Sequence, residues 1–96
     1  MRTERQPYTY CVMSERPGKI HRSVSFYDAR LRISTGVVED YRPYLTIGTD
    51  SAEMTVSTTG GGPVTLADLE LAERLVAAAR DYRSKCRAAY TGALPA

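Results

Sequence analysis

Thr65 to Tyr90 reads TLADLELAERLVAAARDYRSKCRAAY, and this stretch decides the fold. At about 100° per residue, Leu71, Leu75, Val76, Ala78, Ala79, Tyr82, Cys86, Ala89 and Tyr90 fall in one arc, roughly 160° wide. Glu70, Glu73, Arg74, Arg80, Asp81, Ser84, Lys85 and Arg87 fall outside it. That is the pattern of one long amphipathic helix, Leu66 to Tyr90. Thr65 is a good N-cap, and Asp68 stands three residues on, close to a capping box. Acidic residues near the start and basic residues near the end oppose the helix dipole. Glu70 and Arg74 are spaced as a favourable i, i+4 pair. Gly60-Gly61-Gly62-Pro63 breaks the chain before the helix, and Gly92 and Pro95 end it, leaving a short frayed tail over 91–96.

Upstream the period changes from 3.6 to 2. Val24 and Phe26 alternate with serines and Tyr27; Leu31, Ile33, Thr35 and Val37 alternate with Arg32, Ser34, Gly36 and Val38. Leu45 and Ile47 alternate with Tyr44, Thr46 and Gly48; Met54 and Val56 alternate with Glu53, Thr55 and Ser57. These are four half-buried strands over 21–60, with a weaker fifth at Tyr8–Val12. Ser14 to Lys19 reads as a loop inside an N-terminal arm over 1–20. Turns at Asp28-Ala29-Arg30, Glu39-Asp40 and Asp50-Ser51 are short, so neighbouring strands run antiparallel. The expected fold is α+β: an antiparallel β-meander of four to five strands with one C-terminal α-helix packed on one face. With 96 residues, one domain and one core are expected.

Composition narrows the function classes. The chain is 43% hydrophobic and 25% charged, with net charge +2, which excludes a mainly disordered tail. Eleven of the thirteen basic residues are arginine. This bias and the Ala-rich helix resemble small proteins of GC-rich actinobacteria and their phages, a matter of genome composition that implies no activity. No apolar run approaches the roughly 20 residues of a membrane span. The N-terminal residues show no secretory pattern, so the expectation is a cytoplasmic protein with Cys11 and Cys86 as reduced thiols; a Cys11–Cys86 bridge is the alternative.

Enzymatic signals are poor. His21 is the sole histidine, and Cys86 lies on the arc that would be buried, where it serves as a small hydrophobe. A thiolate pair of Cys11 or Cys86 with His21 is the remaining chemistry. No catalytic residue, metal ligand set or cofactor is expected. The triple glycine before a helix invites a phosphate reading, but the Lys-Ser/Thr of a P-loop is missing and Pro63 removes a donor, so a flexible connector is expected.

Two binding classes remain. The outward face of the sheet would carry small hydroxyls, Tyr27, Arg32 and Tyr44, and an open sheet leaves an unpaired edge. The first reading is a non-enzymatic interaction or regulatory protein, a homodimer meeting protein partners through that face or edge. The alternative is a DNA- or RNA-binding protein using arginines on the sheet and its turns. Candidate binding residues for both are Tyr27, Arg30, Arg32, Arg42 and Tyr44. A three-stranded sheet backed by a C-terminal helix is similar in layout to the arm-binding domains of some phage integrases. That likeness would imply a sheet laid in the major groove.

Overall fold

The structure is a computed structural model and describes residues 5–92. The chain divides into two compact units: one holds the chain up to Val38 with Pro43–Ser57, the other holds Glu39–Arg42 with the chain from Thr58 onward. The class is α+β, with five antiparallel strands and one C-terminal helix. The strands divide between a two-stranded sheet, β1 (Tyr8–Arg16) with β2 (Lys19–Tyr27), and a three-stranded sheet in the order β3 (Arg32–Val38), β4 (Arg42–Gly48), β5 (Glu53–Val56).

The hairpin of β1 and β2 is longer than its sequence pattern. Its ladder runs from Tyr8↔Tyr27 to Arg16↔Lys19 without a break. Ser14, Glu15 and Arg16, expected in a loop, pair with His21, Ile20 and Lys19. Only Pro17 and Gly18 make the reversal. Proline presets its φ near −65°, and Gly18 takes φ +77°, the pair of values a type II turn requires. A two-stranded ribbon buries neither face, so the alternation that marks a half-buried strand is missing here although the ladder is complete.

In the three-stranded sheet the expected parity holds. Leu45 lies opposite Val56 and Ile47 opposite Met54, while Thr46 lies opposite Thr55 and Gly48 opposite Glu53. The Thr46 and Thr55 hydroxyls are 3.1 Å apart and hydrogen-bonded. Gly36 of β3 leaves room for the Tyr44 ring: a Cβ there would come within 2.6 Å of the phenolic oxygen. The β4–β5 turn closes with Thr49 N–H donating to the Ala52 carbonyl at 2.8 Å. The Thr49 hydroxyl accepts from the amides of Ser51 and Ala52.

The turn after β3 is strained. Glu39 and Asp40 both have positive φ, 54° and 65°, values that mirror-image turns favour with Asn-Gly or Asp-Gly. Asp40 accepts or donates no side-chain hydrogen bond among the described residues. Asp40→Gly is therefore expected to stabilise the fold by about 1 kcal/mol, because the left-handed conformation costs glycine nothing. A higher urea midpoint with unchanged m would show it; a lower midpoint would count against the strain argument.

The helix α1 spans Leu66–Tyr90, as the periodicity predicts. Thr65 caps it in a complete capping box: Asp68 N–H donates to Thr65 Oγ1 at 3.1 Å, and Thr65 N–H donates to Asp68 Oδ2 at 2.9 Å. At the far end Thr91 closes the last turn and Gly92 takes φ +81°. The rest of the expected tail, 93–96, lies outside the described residues, as do 1–4 of the N-terminal arm. Asp81 and Lys85 form the i, i+4 ion pair of the helix, at 2.8 Å; Glu70 and Arg74 form none within 4.0 Å.

The expected packing of the helix on one face of the sheet is not shown, because the two belong to different compact units. Among the described residues no hydrophobic side chain is buried, and Gly48 is the only buried residue of any kind. Ile33 is 68% exposed, Leu75 37% and Tyr82 70%. Cys86, expected on a buried face, is exposed. The reason is geometric: a strand or helix that carries one apolar stripe must be covered by another layer, and within neither unit is that cover complete.

Candidate functional site

Each candidate arginine has an acidic neighbour supplied by a turn or loop. Asp28, at the end of β2, accepts from the Arg30 backbone N–H at 2.9 Å and from its Nε at 3.1 Å. These hydrogen bonds, the backbone one first, hold the Asp28 carboxyl below its ordinary value. Arg32 Nη1 donates to Asp50 Oδ1 at 2.9 Å, joining the start of β3 to the β4–β5 turn. Arg42 Nη2 lies 3.9 Å from Glu39 Oε2, with the guanidinium carbon 6.0 Å from the Tyr41 ring centre. Its Nε is buried without a hydrogen-bond partner. Exposed ion pairs of this kind add little stability. A carboxylate beside each guanidinium lowers the local positive charge that a phosphate would meet.

The two tyrosines differ in setting. Tyr27 ends β2 and stacks on Tyr8, with ring centres 4.6 Å apart and planes 27° from parallel. Tyr44 is half-buried over Gly36, beside the hydroxyl-bonded Thr46–Thr55 pair on the same face. Arg32, Ser34 and Gly36 share one parity along β3, so the polar face keeps an arginine, hydroxyls and an aromatic ring within one sheet. Arg42 belongs to the other compact unit and is described with it.

The ribbon separates the residues a thiolate pair would need. Cys11 lies opposite Val24, whereas His21 lies opposite Ser14 and therefore on the other face of the hairpin. In the helix the Cys86 sulfur beside the Tyr82 hydroxyl raises the phenol above its usual value. Both cysteines are free and exposed. Among the described residues no group of three or more His, Cys, Asp or Glu side chains is placed to hold a metal ion.

The glycine run has a structure of its own. Thr59–Gly61 forms a tight helical turn in which Gly60 and Gly61 take φ 63° and 75°. Thr58 Oγ1 donates to the Gly62 carbonyl at 2.6 Å, and the Gly61 and Gly62 amides donate to Thr58 and Thr59 carbonyls. Asp68 Oδ1 accepts from both the amide and the hydroxyl of Thr59, at 3.0 and 2.6 Å. The segment is a hydrogen-bonded turn, not a bare flexible connector. It also answers the phosphate reading, since a carboxylate of the chain already occupies the place an anion would take. Spacing alone pointed to the Thr65–Asp68 box; the reach back to Thr59 had no signal in the pattern.

No described helix is long and apolar enough to cross a membrane. No family model, curated protein or solved structure matches this chain.

Proposed function

We propose that the protein is a non-enzymatic interaction module that works as a homodimer. It meets a protein partner through the polar face or open edge of its three-stranded sheet. The observation that carries this reading is the unburied apolar surface: no hydrophobic side chain among the described residues is buried. Ordering a residue's backbone costs about 1–2 kcal/mol, and burial is the main term that offsets it. A chain whose units leave Ile33, Val37, Val76 and Tyr82 open gains that term by association, and a second copy is the partner always present. The tyrosine-and-hydroxyl face, with Tyr44 resting over Gly36, suits a partly wet contact.

Sedimentation and light scattering over a range of concentrations test this. The expected result is a dimer, with a melting temperature that rises with protein concentration because association stabilises the folded state. A folded monomer whose melting is independent of concentration would overturn it. Strong retention on heparin that collapses between low and moderate salt would also overturn it, in favour of nucleic acid, because counterion release makes such binding steeply salt-dependent. The carboxylates beside Arg30, Arg32 and Arg42 argue for weak retention.

A further inference from the structure

We infer that the outer edge of β2 docks an extended, acidic segment of a partner protein, which joins the β1–β2 ribbon as a third strand. This goes beyond the self-association proposed above and does not depend on it. The edge is open: β2 pairs only with β1, in a sheet of two strands. Alternate residues of an outer strand turn their N–H and C=O groups away from the ladder, a template for a further chain. The edge is also long and regular. Its nine residues span about 30 Å at roughly 3.3 Å each, and the ladder holds neither a bulge nor a proline.

Charge on the edge itself selects the occupant. The strand reads KIHRSVSFY, with Lys19, His21 and Arg22 at the turn end and no acidic residue along its length. Lys19 to Arg22 are all exposed. Arg30, Arg32 and Arg42 each have a carboxylate partner, whereas Lys19 and Arg22 form no ion pair among the described residues. The single acid of the ribbon, Glu15, stands opposite Ile20 and bonds to neither cation. The other outer strands lack this excess: β1 sets Glu15 beside Arg16, Arg32 of β3 is held by Asp50, and β5 includes Glu53. A carboxylate-bearing strand laid along β2 satisfies the free backbone groups and both cations together. A second copy would bring the same cations and no acid on its own β2. A nucleic acid has no amides to pair with the edge, and these cations are few for a ligand held by many phosphate contacts.

The probe is a capped peptide of three glutamates followed by alternating valine and threonine, added to the full chain at low salt. It is expected to bind and to slow hydrogen exchange at alternate amides of β2, leaving those of β3, β4 and β5 unchanged. The same peptide with lysine for glutamate is expected to stay free. Lys19→Glu with Arg22→Glu is expected to weaken binding of the acidic peptide about tenfold, as the loss of two exposed ion pairs would. Arg80→Glu with Arg83→Glu makes the same change of charge on α1 and is expected to leave binding unchanged. All four side chains are exposed, and circular dichroism checks that each variant folds. Equal binding of the lysine peptide would overturn the inference. So would binding that leaves β2 exchange unchanged, or no binding of the acidic peptide at all. Tighter binding of a short poly-thymidine strand would overturn it in favour of nucleic acid. The peptide results leave self-association to stand or fall separately, on light scattering of the chain alone.

Discussion

Replacing Gly48 by alanine is expected to destabilise the three-stranded sheet by about 1–3 kcal/mol, the cost of overpacking a site that cannot relax. Gly48 is the last residue of β4 and is buried. It lies opposite Glu53 at the start of β5, where the chain has just turned through Thr49–Ala52. A Cβ on Gly48 would collide with the Cβ of Glu53, and it would come within 2.8 Å of both the Glu53 Cα and the Ala52 carbonyl oxygen. These atoms are backbone or next to it, so no rotamer change clears the space. The backbone of Gly48 is not in the left-handed region, and the cost is steric alone.

Gly36 is the natural control. A Cβ there meets only the Tyr44 ring, the far end of a side chain that can swing away. Gly36→Ala is expected to cost less than Gly48→Ala in urea denaturation. Hydrogen exchange of the β4 and β5 amides should accelerate in the Gly48 variant alone. Equal effects would mean that the strand pair can part to admit a methyl group, and the close approach would then carry no weight in holding the turn.

How much of this was legible in the sequence depended on whether an element had an inside and an outside. The helix had both a 3.6-residue period and a cap, and its span, Leu66–Tyr90, follows the reading. In β4 and β5 the alternation of Leu45 and Ile47 with Thr46 and Gly48 predicted the faces that the register sets. The end of the hairpin had no such contrast. Ser14, Glu15 and Arg16 are polar on both faces because a two-stranded ribbon is wet on both faces, and polarity without alternation reads as a loop. For the candidate site, the arginines could be named from sequence, but not their neutralisation. Asp28 and Glu39 are local to Arg30 and Arg42, whereas Asp50 reaches Arg32 across eighteen positions, through strand pairing that no local pattern encodes. What covers the apolar stripes was illegible for a related reason. Periodicity tells which side of an element is apolar and says nothing of what covers it.

Acidification is expected to loosen the start of α1 in the window between about pH 4 and pH 2, through one carboxylate. Asp68 is held down to about 2 from an ordinary 3.8, first by the Thr59 hydroxyl it accepts from, then by the Thr65 amide. A carboxyl whose folded value is depressed contributes stability that is fully present above its unfolded value. That contribution is lost as pH falls through the folded one. The cause is hydrogen bonding more than a neighbouring charge, so the effect should survive moderate salt better than an ion pair would. Asp68→Asn is the sharp test. The amide keeps one acceptor oxygen for Thr59 but offers an NH2 group where Thr65 N–H needs an acceptor, so half of the capping box is lost at every pH. Helicity by circular dichroism should therefore fall between pH 4 and pH 2 in the native chain. In the Asn variant it should start lower and stay flat across that window. Asp28→Asn, in the other compact unit, should leave the native slope in place. An Asp68 carboxyl resonance titrating near 4 instead of near 2 would show that the clasp from Thr59 through Asp68 to Thr65 does not persist in solution. The glycine turn would then be free to act as the hinge that its composition first suggested.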